Sequence, residues 1–153
     1  MIPIYNLVEM RTISYCCKYL FAGEWYIATA SIDKTNQQIN ISLSPSYNGH
    51  SSEQIEFDGS RLLEHIVDDY INDLCSKDHY LCLKSELISY VAEEVEEQDG
   101  VQRKFFISKE NGGYRCKLIV NYSGNTKELD DVFTEKSSII ESFNNLRFRL
   151  EGQ

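Results

Sequence analysis

Cys75, His79 and Cys82 are metal-ligating residue types close together in the chain, and His65 would bring the set to four, enough for a zinc ion. Their spacing, C-x3-H-x2-C, fits no common structural zinc pattern, and Asp78-His79-Tyr80 reads as a turn. Buried thiols beside a surface histidine are the better reading, so the sequence predicts no bound metal. A Cys–His nucleophilic pair needs only proximity in space. The three histidines (His50 in a loop, His65 on a helix, His79 in a turn) lack any surrounding motif such as HExxH or a nucleophile elbow. Carboxylate pairs abound, but an acidic surface supplies them without catalysis. Gly112-Gly113 joins two predicted strands and does not open a helix, so it cradles no phosphate. The sequence therefore predicts a protein that is not an enzyme, with no catalytic residue and no cofactor.

The distribution of charge is more informative. Between Asp58 and Asp99 twelve Asp or Glu residues face only Arg61, Lys77 and Lys84, while the flanks balance, so the net −9 of the chain arises in this segment. A one-sign block attracts basic partners and repels phosphate backbones and anionic membranes. A sequence pI near 4.8 agrees, and no direct nucleic-acid or membrane contact is expected. Asp68, Asp69 and Asp73 on one predicted helix, and Glu93, Glu94 and Glu97 further on, repel one another with few lysines to relieve them. These six, with Tyr70 and Tyr90 as aromatic anchors, form the predicted partner-binding surface. A solvated helix face that only keeps the protein soluble is the plainer explanation of the same charges.

The elements that must carry these residues follow from periodicity. Ile13 to Phe21, Trp25 to Ile32 and Ile39 to Leu43 alternate in polarity and predict a three-stranded antiparallel meander. Ser44 to Ser52 reads as a loop broken by Pro45 and Asn48-Gly49. Leu62, Leu63, Ile66, Val67, Tyr70, Ile71 and Leu74 predict an amphipathic helix over 60–74. Leu83, Leu87, Val91 and Val95 suggest a second helix through about Glu94, although Asp99-Gly100 is a strong hairpin signal that competes with it. Lys104 to Ser108 and Tyr114 to Tyr122 predict a hairpin, Thr126 caps a predicted helix through Phe143, and Leu146 to Leu150 alternates like an edge strand. The expected architecture is one α+β domain over residues 1–153. Its antiparallel sheet, the N-terminal meander plus the later hairpin, is packed by two or three helices on one face.

Five cysteines with no CxxC, and no secretory signal in MIPIYNLVEMRT, predict reduced thiols in a cytoplasmic protein. The profile is similar in kind to that of bacterial immunity proteins, small cytosolic inhibitors that plug a cognate toxin, often a basic nuclease. The similarity covers size, acidity, α+β build and the lack of a catalytic signature, and it rests on no motif. It implies a non-enzymatic inhibitor that occludes a basic protein. The alternatives are an acidic homodimeric secretion chaperone that binds an effector segment, a phage-type mimic of DNA, and a small enzyme. Partner identity and oligomeric state are beyond the sequence.

Overall fold

The computed structural model describes residues 11–33, 36–57, 63–96, 100–110, 113–133 and 139–151. The chain divides into two compact units, an N-terminal one over Ser14–Ile88 and a C-terminal one that includes Ser89–Gln153. Among the described residues no helix is long and apolar enough to cross a membrane.

In the N-terminal unit β1 (Arg11–Phe21), β2 (Glu24–Asp33), β3 (Gln38–Tyr47) and β4 (His50–Glu56) pair in antiparallel succession, and helix α1 (Leu63–Lys77) follows. Tyr15, Cys17, Tyr19 and Phe21 of β1 are buried while the residues between them are half-buried, the period-two pattern of a strand with one covered face. The register aligns Tyr15, Ala30 and Ile41 across three strands, and Cys17, Ala28 and Leu43 likewise. Both alanines are fully buried at the middle of β2, where their small side chains leave room for α1 to pack. The helix covers that face with Leu63, Ile66, Val67, Ile71, Leu74 and Cys75. Each such aliphatic side chain removed from water contributes ~1.5–3 kcal/mol.

The C-terminal unit repeats the plan. Strand β5 (Lys84–Glu96) runs through the boundary at Ser89, and β6 (Val101–Glu110), β7 (Gly113–Tyr122) and β8 (Asn125–Phe133) follow it in antiparallel order. Helix α2 (Ile139–Glu151) packs on β7 and β8. Phe105 meets Phe143 edge-on at 5.2 Å and Tyr90 at 6.4 Å, forming an aromatic core.

The expected fold needs correction. Among the described residues eight strands form, four to each unit in meander order, instead of three strands plus a hairpin, and two helices are present. Three predicted elements change type. Residues 84–96 are strand, and as a strand they escape the penalty of acidic side chains at a helix C-terminus. In the β5–β6 register Glu93 lies opposite Lys104 and Glu94 opposite Arg103, so acidic positions face basic ones across the strand pair. Asn125–Phe133 is strand β8 instead of a capped helix, and Leu146 to Leu150 belongs to α2 instead of an edge strand. The supposed loop over 44–52 contains the β3–β4 hairpin. Its turn, Asn48-Gly49, has φ +47° and +81°, and Ser123-Gly124 repeats the geometry at +47° and +89° between β7 and β8. Two consecutive positive φ values are the two-residue hairpin conformation that matches strand twist, and glycine adopts its second position without a Cβ penalty.

Candidate functional site

Helix α1 places its apolar stripe inward, which leaves His65, Asp69, Asn72 and Asp73 exposed and Asp68 half-buried at the margin. It ends in a Schellman motif: the Tyr80 N–H donates to the Cys75 carbonyl at 2.9 Å, and the His79 N–H to Ser76 at 3.1 Å. His79 occupies the left-handed position at φ +62°, where glycine is usual. The chain then crosses to β1 as a short strap over residues 80–83. The Leu83 N–H donates to the Leu20 carbonyl at 2.9 Å, so backbone bonds hold the strap at both ends.

Between helix, strap and β1 lies a cleft of about 280 Å³, lined by Tyr19, Asp68, Asn72, Cys82, Leu83, Lys84 and Ser85. The Tyr19 hydroxyl donates to Asp68 Oδ1 at 2.6 Å. Burial is the largest cause that pushes the Tyr19 phenol far above its ordinary value, with Tyr15, Cys17 and Asp68 adding to it. Tyr19 thus stays protonated and remains a donor. Nearby, Tyr47 and Asn48 donate to Asp78 Oδ2, the latter at 2.7 Å. The hydrogen bond to Asp78, then burial, raise the Tyr47 phenol to about 12. Both carboxylates are positioned by neutral donors, which fix an anion without cancelling its charge.

Of the residues predicted to bind a partner, Asp68, Asp69, Tyr70 and Asp73 share α1. The Tyr70 hydroxyl serves Glu53, and its phenol is raised by burial first and by that bond second. Glu93 is half-buried on β5, in the other unit. Glu94 is placed by its backbone in β5, and Glu97 lies outside the described residues. Tyr90, at 1% exposure, is core packing and presents no ring to a partner. The single acidic segment of the sequence is therefore shared between two units. Sequence reasoning missed Tyr19, Leu81 and Leu83; the signal was the apolar run Tyr80-Leu81-Cys82-Leu83 directly after a completed helix.

The cysteines and histidines weighed above as metal ligands or nucleophiles stand as follows. All five cysteines are free: Cys17, Cys75 and Cys116 are buried, Cys16 and Cys82 half-buried. Burial is the main cause that pushes Cys75 and Cys116 up to about 11, far from thiolate reactivity. Among the described residues no cluster of His, Cys, Asp and Glu is arranged to hold a metal ion.

In the C-terminal unit the polar cluster is of another kind. Arg103 grips Glu151 through Nε and Nη2 at 2.9–3.2 Å, Arg147 Nε lies 3.2 Å from the same carboxylate, and Tyr122 donates to it at 2.5 Å. Burial opposes the charge on Glu151, but the bonds from Arg103 and Tyr122 and the two guanidinium charges outweigh it and hold the carboxyl below its ordinary value. This cluster clamps the last turn of α2 to β6 and β7.

No protein-family model, no curated protein and no solved structure matches this chain.

Proposed function

We propose that the chain is a non-catalytic inhibitor of the immunity type, which neutralises a basic protein by covering its positive surface with the acidic side of the N-terminal unit. One observation carries this reading. Asp68 and Asp78 are held in place by neutral hydroxyl and amide donors beside exposed aliphatic side chains, so oriented negative charge and apolar area adjoin on one unit. Such a surface gains on-rate and specificity from its field and affinity from its buried anchors. A cytoplasmic setting belongs to the same reading and accords with five free thiols.

The electrostatic part of the association is measurable with any purified basic nuclease of pI above about 9. Association rates are compared, over a salt series, for the native protein, for Asp69→Lys/Asp73→Lys, and for a control, Glu110→Lys, in the other unit. The native rate should fall steeply with salt, and the α1 variant should lose roughly tenfold at low salt while the control stays close to native. Equal rates for both variants would remove the basis of the proposal.

A further inference from the structure

We infer that the partner reaches this unit with an amphipathic basic segment, whose apolar side chains cover the strap over residues 80–83 while its lysines or arginines meet the outer face of α1. The inference rests on the reading above and adds the chemistry of the ligand. Leu81 is 79% exposed, Leu83 73% and Tyr80 48%, three large apolar side chains within four residues. The other exposed large apolar side chains among the described residues, Ile27, Val132 and Phe148, are isolated in sequence. Single exposed apolar residues are normal on a protein surface, whereas a contiguous group marks an interaction site.

The strap is not a frayed loop. The Tyr80 and Leu83 N–H groups are both bonded to neighbouring elements, and between them half-buried Cys82 lines the cleft with its thiol 3.6 Å from the Lys84 carbonyl. A backbone fixed on both sides displays Leu81 and Leu83 at little ordering cost when they are covered. Charge selects the occupant. Asp78 precedes the strap and Asp68 borders the cleft, each bonded by neutral donors, and Asp73 is exposed one helical turn along from Asp69. An uncharged apolar segment would leave this field unmatched, and a second copy of the chain would bring like charge against it. Lys84 lines the cleft as well, which directs the cationic groups of the guest to the α1 side.

Two synthetic peptides of about 15 residues provide the probe, a leucine–lysine amphipathic helix and a serine–lysine peptide of equal charge. Binding to the full chain is read by fluorescence anisotropy at low and physiological salt, together with the native mass in solution. The native protein should bind the leucine–lysine peptide at least about tenfold more tightly than the serine–lysine one. Leu81→Ser/Leu83→Ser should abolish that ratio while retaining the serine–lysine affinity, and both positions are exposed, so folding is spared. Asp69→Lys/Asp73→Lys should weaken both peptides and flatten their salt dependence. A ratio unchanged by the leucine substitutions would overturn the strap while leaving the acidic face standing. Failure of both peptides to bind would overturn the two together. A doubled mass lost in Leu81→Ser/Leu83→Ser would show that a second copy covers the strap, and would also overturn the inference.

Discussion

The two units are built alike, four antiparallel strands and a helix, and treat their carboxylates in opposite ways. In the C-terminal unit five carboxylates meet cations: Glu151 meets Arg103 and Arg147, Asp131 meets Arg149, Asp130 and Glu110 meet Arg115, and Glu128 meets Lys117. In the N-terminal unit Lys18 pairs with Glu86 and His50 with Glu53, but Asp68 and Asp78 are held by hydroxyls and an amide. Over Ser14–Ile88 the sequence carries eleven acidic residues against five basic, two-thirds of the net charge of the whole chain. One unit sets these carboxylates against cations, between strands and at α2, and the other fixes Asp68 and Asp78 with neutral donors that leave their charge uncompensated. The same fold plan thus serves internal cohesion in one half and an external field in the other.

The sharpest way to break this comparison is at the clamp. Glu151→Gln removes the carboxylate that two nearly buried guanidiniums share, and the loss expected from breaking a buried pair is about 3–5 kcal/mol, read as a shift in denaturant midpoint. The pH dependence carries a definite sign. Because the folded carboxyl of Glu151 lies below its ordinary 4.5, its contribution is present above that value and is lost as pH falls through the folded value. The gap between native protein and variant should therefore narrow on acidification below about 4.5. A constant gap would mean that the clamp works by packing and not by charge.

Much of the N-terminal unit was legible because its apolar residues alternate cleanly, as in Tyr15, Cys17, Tyr19 and Phe21, and because α1 has an uninterrupted apolar stripe. The C-terminal unit was harder for physical reasons. In β5 the Leu87, Val91 and Val95 spacing imitates a helix, and the register that sets Glu93 opposite Lys104 and Glu94 opposite Arg103 involves a strand that the local spacing does not report. In β8 the sequence NTKELDDVF is mostly exposed, so no buried face marks it as a strand. The local signals were the two-residue turns Asn48-Gly49 and Ser123-Gly124, which outrank their reading as loop breakers. At the site, Asp68 and Asp73 were visible as charge. The strap and the Tyr19 bond were not, since both depend on contacts between residues distant in the chain.

The corresponding test in the N-terminal unit is smaller. Tyr19→Phe keeps the ring and removes the donor to half-buried Asp68, for an expected cost of about 1–2 kcal/mol, less than at the clamp because water can replace the hydroxyl. The pH sensitivity here runs the other way. Tyr19 and Tyr47 have phenols raised above 10.0, so their contribution is present below that value and is lost as pH rises through the folded values, about 12 for Tyr47. Tyrosinate absorbance followed alongside unfolding should show these phenols ionising only as the native structure is lost. Next in size is His79→Gly, which relieves a left-handed histidine at the end of α1 and should stabilise by about 0.5–1 kcal/mol after the entropy of glycine is deducted. A loss of stability would instead assign the His79 side chain an important packing role.

The smallest effect is the most informative about purpose. Asp69 and Asp73 are four apart on α1, a like-charge arrangement that weakens a helix. Asp73 also lies toward the C-terminal end of α1, where the dipole favours a cation. Asp73→Lys places an acid, Asp69, one turn before a base but sets the new lysine one turn before Lys77, so the two helix effects offset and stability should stay within about 0.5 kcal/mol of native. If the acidic face existed only for solubility, the reversal would carry no functional penalty. If it is a binding surface, the same substitution must slow association with a basic protein while the melting temperature holds. Melting and association rate measured on this single variant separate the cases. An unchanged association rate, or a fall in both, would break the contrast between a unit that neutralises its carboxylates and one that retains them for a partner.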